Sequence, residues 1–117
     1  MNVKSLGLPL APVVDWDIFE GGVRCAEVVD GSEASDLRIY DVTFPPGGRT
    51  TMHSHTVDQV LFIVSGHGFV QTEGREERAV RAGDLVIIPA GERHVHGATA
   101  TTEMCHLAVM TEGKDVL

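Results

Sequence analysis

Residues 47–66 read GGRTTMHSHTVDQVLFIVSG, and residues 83–97 read GDLVIIPAGERHVHG. The first stretch presents His53, His55 and Gln59; the second presents His94 and His96. Side chains alternate across an extended chain, so residues of one parity share a face. His53, His55 and Gln59 share parity, and Leu61 and Ile63 continue their face with apolar side chains. His94 and His96 also share parity, and Ala98 extends their row. Two imidazoles spaced by two on one face can hold one divalent ion, and a strand laid opposite can bring His94 as a third. Imidazole suits several transition ions, and no carboxylate among these five residues biases the choice toward a hard cation. Three neutral imidazoles and a neutral amide leave the ion's charge uncompensated, which makes it a strong Lewis acid. A lone His-x-His pair is a weak signal, since such pairs are often exposed or satisfied locally. Here the flanks agree: Pro-Gly turns precede each histidine cluster, and apolar runs adjoin it.

At 117 residues the chain has the size of a single domain. That length buries a real core without disulfide staples. Apolar residues make up 43% and charged residues 22%, as in ordinary globular proteins. A net charge of −8 argues against nucleic acid and anionic membranes as partners. No run reaches the length of a membrane-spanning helix. The start, MNVKSLGLPLAPVV, holds one lysine and a proline-broken apolar run. It makes a poor signal peptide, so a cytoplasmic location is expected. Cys25 and Cys105 match no metal-finger or redox spacing and read as free, partly buried thiols.

In order, residues 1–22 read as an extended arm, with a short turn at Trp16–Phe19. Val23–Val29 and Leu37–Phe44 read as strands, rich in β-branched and aromatic residues. Pro45-Pro46-Gly47-Gly48 must turn. Gln59–Val64 is nearly all apolar and reads as a strand buried on both faces, with Ser65-Gly66-His67-Gly68 turning it round. Phe69–Glu73 is then the returning strand, Gly74-Arg75 its tip, and Glu76–Arg81 a solvated stretch. Leu85–Ile88 reads as another buried strand, Pro89–Glu92 as a turn, and Glu103–Met110 as the last strand. Thr111–Leu117 reads as a loose tail. Helical periodicity is missing, and short strands recur about every eight to twelve residues between Gly and Pro. The pattern is that of an all-β sandwich or barrel.

With these residues in place, the chain resembles the cupin family. The first cupin motif, G-x5-H-x-H-x3,4-E-x6-G, reads here as Gly47, His53, His55, Gln59 and Gly66. The second, G-x5-P-x-G-x2-H-x3-N, reads as Gly83, Pro89, Gly91, His94 and Ala98. Two positions depart: Gln59 stands for the usual glutamate and Ala98 for the usual asparagine. The resemblance implies a jelly-roll-like β-barrel (a double-stranded β-helix) spanning residues 1–117 as one domain, with its core at about 37–110. It implies metal ligation by His53, His55 and His94. Gln59 either ligates through its amide oxygen or leaves a three-histidine site, and losing the carboxylate disfavours chemistry that needs it as a base.

A narrower resemblance is to the manganese-dependent bacterial cupin hydroxynitrile lyases. It rests on HSHTVDQVLFIVSGHGFVQTEG and PAGERHVHGATATTEMCHLAV, which carry His-x-His-x3-Gln, His-x-His-Gly-Ala and Thr-Thr-x-Met before His-Leu-Ala. It implies one divalent ion per chain, manganese first and iron, zinc, nickel, cobalt or copper as alternatives, on His53, His55, Gln59 and His94. It also implies pocket histidines at His96 and His106. His106 shares parity with Met104, Ala108 and Met110 and should face the interior. Tyr40, Val42 and Met110 should line the pocket, where the tyrosine would narrow it. His67, between two glycines, should be merely exposed. Three functions follow as expectations: a lyase acting on cyanohydrins, a quercetinase-like dioxygenase, and a non-enzymatic ligand-binding cupin. The implied partners are a small-molecule substrate and further copies of the chain, as a homodimer or homotetramer.

Overall fold

The computed structural model describes every residue except Leu8. Its strands are β1 (Phe19–Glu20), β2 (Arg24–Val29), β3 (Leu37–Phe44), β4 (Arg49–Thr50), β5 (Ser54–His55) and β6 (Gln59–Thr72). They continue as β7 (Arg78–Arg81), β8 (Leu85–Ile88), β9 (His94–Ala98), β10 (Met104–Thr111) and β11 (Asp115–Val116). All pairings are antiparallel, in the order β1-β4-β9-β6-β10-β3-β2, with β7 and β8 also on β6. A small separate sheet joins β11 to β5. The result is a curled all-β jelly-roll-like barrel. No helix among the described residues is long and apolar enough to cross a membrane.

The fold turns on β6. Its first half pairs with β8 and β10, and its second half with β7 and β9. The turn expected at Ser65–Gly68, with Phe69–Glu73 returning, does not form: the strand runs through both. Instead, β7 returns, and Val80 seals its inner side while its neighbours stay exposed. The glycines that suggested a turn make a bend. The register against β10 shifts between Cys105 and His106, and Gly66 adopts φ +79°. A Cβ at Gly66 would lie 1.9 Å from the Glu103 carbonyl oxygen, and one at Gly68 would lie 2.3 Å from that of Gly97. A bulge with close backbone approach carries one strand from one sheet into the other.

The core holds Val23, Phe44, Leu61, Ile63 and Met104, all fully buried. Alternation holds on β3, where Arg38, Val42 and Phe44 point inward, and on β10, where Met104, His106 and Ala108 do. The expectation that Gln59–Val64 and Leu85–Ile88 are buried on both faces is corrected. Phe62, Val64, Leu85 and Ile87 are 43, 47, 60 and 69% exposed on the outside of the sheet. An apolar run without alternation leaves open whether its second face is covered. The tail is not loose either, because Asp115–Val116 pairs with Ser54–His55. The N-terminal arm is anchored by Val14 N–H to the Val23 carbonyl at 3.0 Å and by Cys25 N–H to the Pro12 carbonyl at 3.1 Å. Cys25 is buried, Cys105 half-buried, and both are free.

Gly66→Ala should destabilise far more than Gly74→Ala in urea unfolding. Gly74 has φ +78° with nothing within 4 Å of an added Cβ, so its substitution costs only the left-handed strain of about 1–2 kcal/mol. Gly66→Ala adds a backbone clash to that same strain.

Candidate metal centre

His53 lies outside the regular strands and faces His94 across an isolated antiparallel bridge. Its N–H donates to the His94 carbonyl at 3.0 Å, and the His94 N–H donates back at 2.8 Å. Directly opposed residues project to the same face, and the two imidazole centroids stand 4.3 Å apart. His55, two residues on, lies 4.8 Å from His53 and 5.4 Å from His94 by centroid. His96 stacks beside His94 at 5.6 Å with ring planes 9° apart. Gln59 opens β6 just after. All five are buried, as is Ser54 between the first two histidines, so alternation does not sort exposed from buried here.

The proton positions are dictated by the partners. His53 Nδ1 lies 2.7 Å from the Thr51 carbonyl, and His94 Nδ1 2.7 Å from the Glu92 carbonyl. His55 Nδ1 lies 2.9 Å from a carboxylate oxygen of Asp115. Carbonyls and carboxylates only accept, so each Nδ1 carries the hydrogen and each neutral ring keeps its lone pair on Nε2. Gln59 donates its amide nitrogen to the Met110 sulfur at 3.5 Å, leaving its oxygen free. His55 Nε2, His94 Nε2, His96 Nε2 and Gln59 Oε1 are buried with no partner among the described residues. Buried acceptors without donors are what a cation requires, so the chemistry of this histidine and glutamine set fits a divalent transition ion. Ligand atoms of His53, His94 and His96 all lie within 4.8 Å of one another. His96, expected as a pocket histidine, thus groups with His53 and His94, while His55, an expected ligand, lies outside that group.

His106 is fully buried on β10, with its Nε2 3.1 Å from His96 Nδ1. Phe44 packs on both rings, at 5.7 Å from His96 and 5.4 Å from His106. Burial lowers the proton affinity of the cluster. It pushes His94 and His106 down to about 4 and His96 well below its ordinary value, and it lowers His53. The rings are therefore neutral at pH 7, the form that ligates or accepts a proton. Asp115 is held below the usual carboxylate range by its hydrogen bond from His55.

A cavity of about 280 Å³ opens onto His53, His55, Gln59, His96 and His106. Tyr40, Val42 and Met110 line it as expected. His67 is exposed, on β6 rather than in a turn. Sequence reasoning missed two contributions. Trp16 and Phe19 of the arm stack at 5.7 Å and reach the cavity mouth, where Trp16 meets Tyr40 edge-on at 6.4 Å. A tryptophan and a phenylalanine close to a proline-rich arm were the available signal. Asp115 came from a tail with no strand pattern, and nothing in its neighbourhood marked it.

The Cupin domain family model matches residues 40–110, more than half of the chain. This chain is a cupin. It is 36% identical to an (R)-mandelonitrile lyase of Granulicella tundricola over 99% of this cupin and 90% of that protein. An acireductone dioxygenase of Bacillus mycoides is 34% identical over 58% of this chain and about half, 48%, of its own length. Among solved structures, a cupin-like protein of Thermotoga maritima superposes with a TM-score of 0.84 at 33% identity, covering 92% of this chain and 84% of that one.

The neutral histidines give this cupin a pH signature in the metal-free state. Between an unfolded value near 6.5 and a folded value of about 4, the unfolded state binds the proton and the folded state does not. Stability must then fall as pH drops from 6.5 to 4. His106 alone accounts for about 3 kcal/mol of that loss at one pKa unit per 1.36 kcal/mol. His106→Met should flatten the urea-midpoint curve across this window, and an unchanged slope would contradict burial as the cause.

Proposed function

We propose that this cupin is a metal-dependent hydroxynitrile lyase, cleaving or forming cyanohydrins. The reading rests on one juxtaposition: buried His53, His55 and Gln59 line the same cavity as the linked pair of neutral histidines, His96 and His106. The 36% identity to an (R)-mandelonitrile lyase across nearly the whole chain supports it. His53, His55, Gln59 and His94 would hold the ion. When bound, the ion supplies a Lewis acid for the substrate hydroxyl. The family resemblance points to manganese, whereas imidazole and amide donors would also take iron, zinc, nickel, cobalt or copper.

The chain's own histidines then handle the proton. With Nδ1–H of His96 donating to His106 Nε2, the His96 Nε2 lone pair faces the cavity and accepts the cyanohydrin hydroxyl proton. The carbon–carbon bond breaks, its electron pair leaves with cyanide, and the carbonyl product forms. Cyanide takes the proton back from the imidazolium and departs as hydrogen cyanide. Phe44 and the surrounding core keep the pair dry and neutral. At about 280 Å³ the cavity is near the lower end of ligand pockets, roughly 300–1,000 Å³. Tyr40 takes part of that space, which supports compact cyanohydrins over bulky aromatic ones.

A second reading, an oxygen-using oxidoreductase, is favoured by the match to acireductone dioxygenase over 58% of the chain. A third, a non-enzymatic binding cupin, remains for a chain that returns a ligand unchanged. We also propose a homodimer or homotetramer. The apolar exposed row of Phe62, Val64, Leu85 and Ile87 supports it, because large exposed patches mark contact surfaces.

Manganese-loaded protein should release cyanide from mandelonitrile, and faster from acetone cyanohydrin, with oxygen excluded. His53→Ala should abolish release, and His96→Ala should slow it about 10²–10⁴-fold, the usual weight of a proton-transfer group. Release that survives both His96→Ala and His106→Ala would refute the proton assignment. Turnover appearing only with oxygen would favour the second reading. Light scattering should give a mass of two or four chains, and Ile87→Glu should lower it.

A further inference from the structure

Two of the three ligand imidazoles are oriented by backbone carbonyls, those of Thr51 and Glu92. The third, His55, is oriented by a charged side chain sixty residues away, Asp115 at 2.9 Å. The local architecture makes this contact hard to regard as incidental. Strand β5, which carries His55, has β11 as its strand partner, in a sheet separate from the rest of the barrel. Asp115 sits directly opposite His55 in that pairing, and Val116 opposite Ser54. Lys114 fastens the approach on the other side: its N–H donates to Thr56 Oγ1 at 2.9 Å, and its carbonyl accepts the Thr56 N–H at 3.0 Å. Gly113 lies so close to Val57 that an added Cβ would approach its methyl to 2.7 Å. The C-terminal segment is thus docked along the loop between His55 and Gln59.

The charge matters as much as the placement. Gln59 stands where the first cupin motif has glutamate, so the donor set itself carries no negative charge. A carboxylate hydrogen-bonded to the far nitrogen of a ligand imidazole raises its basicity and fixes its ring. We propose that Asp115 is a positioning residue for the metal centre: from the C-terminal strand it orients His55 and supplies the anion that the ligands lack, coupling ion binding to docking of that strand. This rests on the metal-binding reading given above.

The test is a titration of manganese(II) into metal-free full-length protein, followed by the electron paramagnetic resonance signal of the free ion. Asp115→Asn, which keeps the shape and removes the charge, should weaken binding about 10–100-fold. Asp115→Glu should restore most of it. Glu112→Gln, on an exposed side chain of the same segment, should bind as the wild type does. The metal-free variants should melt together. Wild-type affinity in Asp115→Asn overturns this inference alone. So does a loss that Asp115→Glu fails to repair and that comes with a lower melting temperature, since that assigns β11 a merely structural part. A wild-type chain that takes up neither manganese nor iron, zinc, nickel, cobalt or copper overturns the metal reading and this inference with it.

Discussion

The structure depends on one reciprocal pair of hydrogen bonds, between the backbones of His53 and His94. They join two segments that are far apart in sequence. By facing each other across that bridge, both side chains must project to one side, and the ring of each limits where the other can go. His55 and His96 follow because they lie two residues further along their own segments. One backbone contact therefore places four imidazoles at one end of the barrel. The long strand β6 makes the contact possible: it pairs with β9 on one side of its bend and with β8 and β10 on the other.

Such a site is costly. Among the described residues, five buried side-chain atoms, on His55, Gln59, His94, His96 and His106, have no partner. An unsatisfied buried polar group costs about 1–3 kcal/mol, while a small domain has only about 5–15 kcal/mol of stability in all. Packing alone would replace these side chains with apolar ones of similar volume. The protein instead fixes the Nδ1 proton of three rings with carbonyl or carboxylate acceptors and leaves their Nε2 atoms bare. An ion held by His55, Gln59 and His94 would satisfy the three of these atoms that lie on those residues, so their chemistry and their energetics call for the same occupant. Burial acts in the same direction, because it keeps His53, His94 and His96 neutral.

Much of this was legible from residue spacing. The histidine motifs, the β-rich pattern and the parity of His106 with Met104 and Ala108 all follow from a strand's period of two, which is a local property. Ser65–Gly68 was harder. Glycine serves tight turns and bulges equally, and only the closeness of Glu103 and Gly97 to Gly66 and Gly68 shows that here it bends a continuous strand. Leu85 and Ile87 illustrate the same limit. Their hydrophobicity is local, but exposure depends on what the neighbouring sheet covers.

By itself, the sequence determined the fold class and the two histidine-bearing segments that could hold a metal, because strand periodicity and side-chain chemistry are carried by neighbouring residues. The tertiary structure alone decided that His96 groups with His53 and His94, that His96 and His106 are linked, that Trp16 and Phe19 reach the cavity, and that Asp115 holds His55. Each of these is a contact between segments whose separation along the chain carries no information about their separation in space. Only the pairing of strands, set by the whole barrel, brings them together.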